Sequence, residues 1–136
     1  MLTPEERLEQ LEKVLGELEE LSADTPIVVE GARDIAALRR LGVVRNVLAL
    51  NKGKSVIAFC EELSRRSSRA IILTDWDRRG GQLARMLKEG LESNGVKVNE
   101  RIRTQIVILS KKEVKDMESL PTFVERLQSM AASQRS

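Results

Sequence analysis

The chain is 136 residues long, the length of one ordinary domain, and its formal net charge of +2 hides an acidic beginning and a basic remainder. Hydrophobic residues make up 41% and charged residues 32%, with no apolar run of about 18 residues and no basic-then-apolar leader, so the expectation is a cytoplasmic protein without a membrane span. There is no histidine, no tyrosine and one cysteine, Cys60, which excludes imidazole bases and ligands, tyrosyl adducts, disulfides and thiolate zinc sites.

Thr3-Pro4-Glu5-Glu6 supplies an N-cap, a proline at the first helical position and a glutamate at the third, so a helix begins there. Leu8, Leu11, Leu15 and Leu18 recur at three and four and predict a helix that covers its own sheet. A coiled-coil seam is the other reading of that stripe, so the chain is expected to be a monomer or a dimer. Residues 1–24 hold two basic and eight acidic residues, net −6, while the rest of the chain carries net +8, the sign expected of a body that meets polyanions.

After Asp24-Thr25-Pro26 the pattern changes to Ile27-Val28-Val29, a β-branched run that predicts a buried parallel strand ending at Glu30-Gly31. A short helix over residues 34–41 is closed by Gly42, and residues 43–50 predict a second strand. Residues 56–66 have helical spacing at Ile57, Phe59, Cys60 and Leu63, and lead to a third buried strand, Ala70-Ile71-Ile72-Leu73-Thr74, ending at Asp75. Residues 80–94 predict an amphipathic helix with Gly95 as a left-handed C-cap. Ile106-Val107-Ile108-Leu109 reads as a fourth strand, residues 111–117 as a loop, and Pro121 as the start of a last helix carrying Phe123, Val124 and Leu127. The tail from Ala131 is expected to fray.

Alternation of this kind predicts an α/β fold: an open parallel sheet with helices on both faces and right-handed crossovers. Ligands of such sheets collect beyond the carboxyl ends of the strands, where the strand order reverses. Glu30 closes the first strand, and Asp75 and Asp77 close the third, on one side because side chains alternate with period two. With strand order 2-1-3-4 the three acids meet, and a cation is expected between them. Oxygen ligands without nitrogen or sulfur suit Mg²⁺ or Mn²⁺.

Val28-Val29-Glu30-Gly31-Ala32-Arg33-Asp34 resembles the glutamate motif of the Toprim family, and Ile71-Ile72-Leu73-Thr74-Asp75-Trp76-Asp77-Arg78-Arg79-Gly80 resembles its Asp-x-Asp motif. The family is shared by topoisomerases, bacterial-type primases, recombination proteins and ribonucleases, and the whole chain is similar to small stand-alone archaeal Toprim proteins. The resemblance implies a Rossmann-like Toprim fold with a four-stranded core over residues 25–110, an N-terminal helix in residues 1–24 and a C-terminal loop and helix in residues 111–136. It also implies that Glu30 is a ligand or acid/base and that Asp75 and Asp77 are metal ligands.

Departures from the family narrow the expectation. Arg79 and Gly81 stand where topoisomerase versions carry further acids, and tyrosine is absent, which argues against strand passage. Primase needs modules that 136 residues cannot contain. The organisation is most similar to Toprim ribonucleases that mature ribosomal RNA, so the expected activity is Mg²⁺-dependent phosphodiester cleavage, with RNA favoured over DNA. The competing readings are an accessory module that binds nucleic acid beside a protein partner and, more distantly, an aspartate-dependent phosphatase. Arg33, Lys52, Lys54, Arg78 and Arg79 are the candidate phosphate contacts. Gly31 and Gly80 are candidates for close backbone approach. Gly53-Lys54-Ser55 lacks the earlier glycine of a P-loop, Cys60 and Trp76 are expected to pack, and 2% aromatic content argues against a base-stacking platform.

Overall fold

The computed structural model describes residues 1–50 and 53–135. Its elements in chain order are α1 (Pro4–Leu21), β1 (Ile27–Val29), α2 (Ala32–Arg40), β2 (Val47–Ala49), α3 (Val56–Arg66), β3 (Arg69–Ile72), α4 (Arg78–Ser93), β4 (Lys97–Asn99), α5 (Arg101–Ser110) and α6 (Leu120–Arg135). The sheet has the order β2-β1-β3-β4 with every pair parallel, so β1 and β3 are neighbours and the strand order reverses between them.

Alternation along β1 and β3 divides the interior in two. Ile27, Val29, Ile71 and Leu73 point toward α1, α2, α5 and α6, where they meet Leu11, Leu18, Leu38, Ile102, Ile106 and Leu127. Val28, Ala70 and Ile72 point the other way, onto Cys60, Leu63, Ala84, Leu87 and Leu91 of α3 and α4. The leucine stripe of α1 is consumed here: Leu8, Leu11, Val14, Leu15 and Leu18 are buried against the chain's own core. Its start follows the predicted chemistry, with the Thr3 hydroxyl accepting from the Glu6 N–H and the Glu6 carboxylate accepting from the Thr3 N–H. Gly42 and Gly95 close α2 and α4 with φ of +89° and +81°.

The fourth strand is where the sequence reading fails. Ile106, Val107, Ile108 and Leu109 are helical, not extended, and lie in α5. Ile102, Ile106 and Leu109 are buried at intervals of four and three while Ile108 is 62% exposed, the signature of one helical face. The strand is instead Lys97–Asn99, hydrogen bonded to β3 in the register Arg69↔Lys97. A four-residue apolar run does not separate a strand from the buried turn of a helix, and packing against α1 decides it.

Three boundaries also move. Ladder pairing of β3 stops at Ile72, although the Leu73 N–H still reaches the Val28 carbonyl at 2.8 Å. Asn46, at φ +59°, turns the chain before β2, which shortens that strand to Val47–Ala49. The tail continues as helix to Arg135, held by buried Ala131. Cys60 is fully buried, and a side chain at Gly90 would come within 2.7 Å of its sulfur, so it packs at the α3/α4 crossing.

Candidate metal centre

Glu30 leaves the end of β1 and crosses to its neighbour, where its Oε2 accepts the Asp75 N–H at 2.8 Å. Asp75 Oδ1 accepts the Met117 N–H at 2.9 Å, and Asp77 Oδ1 accepts the Gly80 N–H at 2.7 Å as the N-cap of α4. Each carboxylate therefore uses one oxygen to fix a strand end or a helix start. These bonds leave the second oxygen of each uncommitted.

Burial pushes the Asp75 carboxyl up from its ordinary value of 3.8 to about 6, and the neighbouring Glu30, Asp116 and Asp77 charges add to the rise against the Met117 hydrogen bond. Asp34, 7% exposed, is raised by burial and then by Asp75, while its Oδ2 accepts the Gly31 N–H at 3.1 Å. Carboxylates that raise one another's pKa are thus brought near each other at this edge. Among the described residues, no three acidic side chains are gathered closely enough to hold an ion as they stand. The donor set nevertheless fits a hard cation, since its atoms are carboxylate oxygens in a partly buried, mutually repelling group.

Two supports were not visible in the sequence. Arg103, half-buried on α5, donates from Nε to the Thr74 carbonyl at 2.9 Å and from a terminal nitrogen to the Asp75 carbonyl at 2.7 Å. Burial lowers its pKa, against Glu100, Glu30, Asp75 and Asp77, which favour its charge. The second support is the segment before α6: Val114 and Lys115 carbonyls accept the Trp76 indole and backbone N–H groups at 2.7 and 2.9 Å, and Met117 caps Asp75. Trp76 so packs on the core and ties this segment to the site. Neither support follows from a motif, because both depend on contacts from 28 to 42 residues apart in the chain. Arg103→Met should cost about 2 kcal/mol by stranding two carbonyls, with partial recovery in Arg103→Lys, as read by urea denaturation. Equal stability of all three proteins would show that the guanidinium does not hold the strand end.

Gly80 stands where nothing larger fits, since a Cβ there would lie 2.0 Å from the Asp75 carbonyl oxygen. The buried Thr74 hydroxyl also donates to the Gly80 carbonyl at 2.8 Å, locking β3 to α4. At Gly31 a Cβ would meet nothing within 4 Å. Arg78 and Arg79 are exposed in the first turn of α4 and form no ion pair among the described residues. Arg33 lies 3.8 Å from Glu118, and Lys54 is paired with Glu62 of α3 at 2.5 Å. Lys52 lies outside the described residues. A groove of about 670 Å³ between α1, α5 and α6 does not include the carboxylates, which stand at an open edge of the sheet where Asp77 is exposed. No helix among the described residues is long and apolar enough to cross a membrane.

The chain is similar to a UPF0292 protein of Methanosarcina barkeri, 43% identical over 122 residues that cover 89% of this chain and 85% of the relative. A UPF0292 protein of Methanocaldococcus jannaschii is 36% identical over 122 residues, covering 90% and 95%. Among solved structures, a protein from Aquifex aeolicus superposes with a TM-score of 0.67 at 30% identity, covering 79% of this chain and 94% of that one. The family model described as the Toprim domain matches residues 25–103, from the turn before β1 to Arg103. The chain therefore belongs to the Toprim domain family, which is associated in general with metal-dependent processing of nucleic acids.

Proposed function

We propose that this protein is a Mg²⁺- or Mn²⁺-dependent nuclease that acts on RNA in preference to DNA. The observation that supports the reading is that Glu30 follows β1 and Asp75 and Asp77 follow its parallel neighbour β3, with Glu30 bonded to the Asp75 N–H and the Asp75 carboxyl raised to about 6. Glu30, Asp75 and Asp77 would hold the cation, which when bound supplies Lewis-acid polarisation of a phosphate and a more acidic water. Glu30, fixed through one oxygen to the Asp75 N–H, presents the other for proton transfer. Arg78 and Arg79 hold the phosphate chain at the edge, and Arg33, in the first turn of α2, is a further contact. An open edge suits a polymer better than a small phosphate monoester. RNA is favoured by the similarity of the Glu30 to Asp34 motif to that of Toprim ribonucleases.

A structured RNA and a DNA duplex incubated with Mg²⁺ or Mn²⁺ test the reading. Cleavage should fall at least about 100-fold in Glu30→Gln and in Asp77→Asn, and the second keeps a competent N-cap, so its loss reports chemistry and not folding. Full cleavage by both variants would refute the assignment. A second reading, a non-catalytic module that binds nucleic acid and completes its chemistry with a partner protein, is favoured by the carboxylates not converging on one point in the isolated chain. Binding without turnover would select it.

A further inference from the structure

α1 and α4, on opposite faces of the sheet, differ in the sign of their charge. α1, within the net −6 of residues 1–24, lies on one face, and α4, whose residues 78–93 carry net +2, lies on the other. A polyanion approaching the carboxylate edge is repelled by α1 and attracted by α4.

Placement of charge within α4 is costly in a way that folding does not explain. Arg78 and Arg79 occupy the first two helical positions, where the positive end of the helix dipole disfavours cations, and the first turn holds no acid. Both are exposed and without an ion pair among the described residues. Arg85 follows Arg78 by seven residues, which returns it to the same side of the helix two turns on, and it too is exposed and outside the ion pairs of the described residues. Lys88, three residues further, reaches Glu100 at 3.2 Å, so this side of α4 faces the β4 end of the sheet. Seven residues of helix span about 10 Å, enough to reach more than one phosphate of a nucleic-acid strand.

We propose that the Arg78 and Arg85 side of α4 is a binding path for the backbone of a nucleic acid, running from the carboxylate edge, where Arg79 flanks its start, down the helix. Arg85 is its distal anchor. The path rests on the proposed function above, because it leads a phosphate chain to Asp77, the N-cap of the same helix. Arg85 makes no contact with the carboxylates, so it serves grip and register without taking part in the chemistry.

Fluorescence anisotropy with a labelled single-stranded RNA of about 20 nucleotides, in EDTA to prevent turnover, tests it as NaCl is raised from about 50 to 300 mM. Arg85→Ala should weaken binding about fivefold at 100 mM salt and reduce the slope of log K against log salt by about 0.7, the loss of one phosphate contact. Arg85→Lys should restore the slope. Arg39→Ala, an exposed arginine at the far end of α2, should leave it unchanged. Wild-type binding with an unaltered slope in Arg85→Ala would overturn the path and leave the metal assignment standing. Absence of salt-dependent binding by the wild type would overturn the path and, with it, the nucleic-acid reading.

Discussion

Gly80→Ala is expected to lose about 3 kcal/mol or more of stability, lowering the melting temperature by roughly 10 °C. The added methyl would sit 2.0 Å from the Asp75 carbonyl oxygen, and that carbonyl cannot retreat freely because Arg103 grips it at 2.7 Å. Relief requires α4 to slide away from β3. Sliding breaks the Asp77 cap at Gly80 and the buried Thr74 bond to the Gly80 carbonyl, and it separates Asp75 from Asp77. The variant should therefore lose cation affinity along with stability. Gly81→Ala, whose Cβ meets nothing within 4 Å, is the control and should be as stable as the parent or slightly more so. A Gly80→Ala protein that melts with the parent would show that the close approach at this position is not a constraint.

Asp75→Asn should do the opposite to stability while removing metal binding. A carboxyl whose folded value is raised from 3.8 to about 6 favours the folded state when protonated, and that contribution is lost as pH rises through about 6. Above pH 6 the metal-free parent carries the full penalty of an ionised, partly buried Asp75. Asparagine carries none and still offers an oxygen to the Met117 N–H. The shift of about two units corresponds to roughly 3 kcal/mol, and with solvent screening at this open edge about 1–2 kcal/mol of stabilisation is expected at pH 7.5, vanishing below pH 4. Thermal melts in EDTA at both pH values measure it. In the parent, the same linkage makes Mn²⁺ affinity fall as pH drops below about 6, with release of close to one proton on binding. A less stable Asp75→Asn at pH 7.5, or Mn²⁺ affinity that ignores pH between 5 and 7, would contradict the electrostatic account.

Sequence legibility followed locality. Thr3 with Glu6, Gly42, Gly95 and the span of α3 were readable because caps and helical spacing are local properties. Glu30, Asp75 and Asp77 were readable as strand-end acids because the apolar runs before them are short and sharply bounded, and the order β2-β1-β3-β4 brings the two strand ends together. Lys97–Asn99 was hidden, since an edge strand of three residues with one exposed lysine has little pattern of its own. Ile106 to Leu109 misled because β-branching favours a strand locally, and burial of one helical face against α1 outweighs that preference. Arg103 could not be found from spacing: it acts on the carbonyls of β3 from a helix that the sequence reading did not contain. The arginines at the start of α4 go against the local rule that favours acids in a first helical turn.

Glu30, Asp75 and Asp77 are proposed to hold a divalent cation at the edge of β1 and β3. A crystal of the protein soaked in Mn²⁺ and measured at a wavelength where manganese scatters anomalously tests it directly. The account predicts an anomalous peak bounded by these three carboxylates, with Mn–O distances of about 2.1–2.3 Å, and no peak in crystals of Asp75→Asn. A soaked parent crystal with no peak there, or with manganese held only by residues elsewhere on the surface, would contradict it.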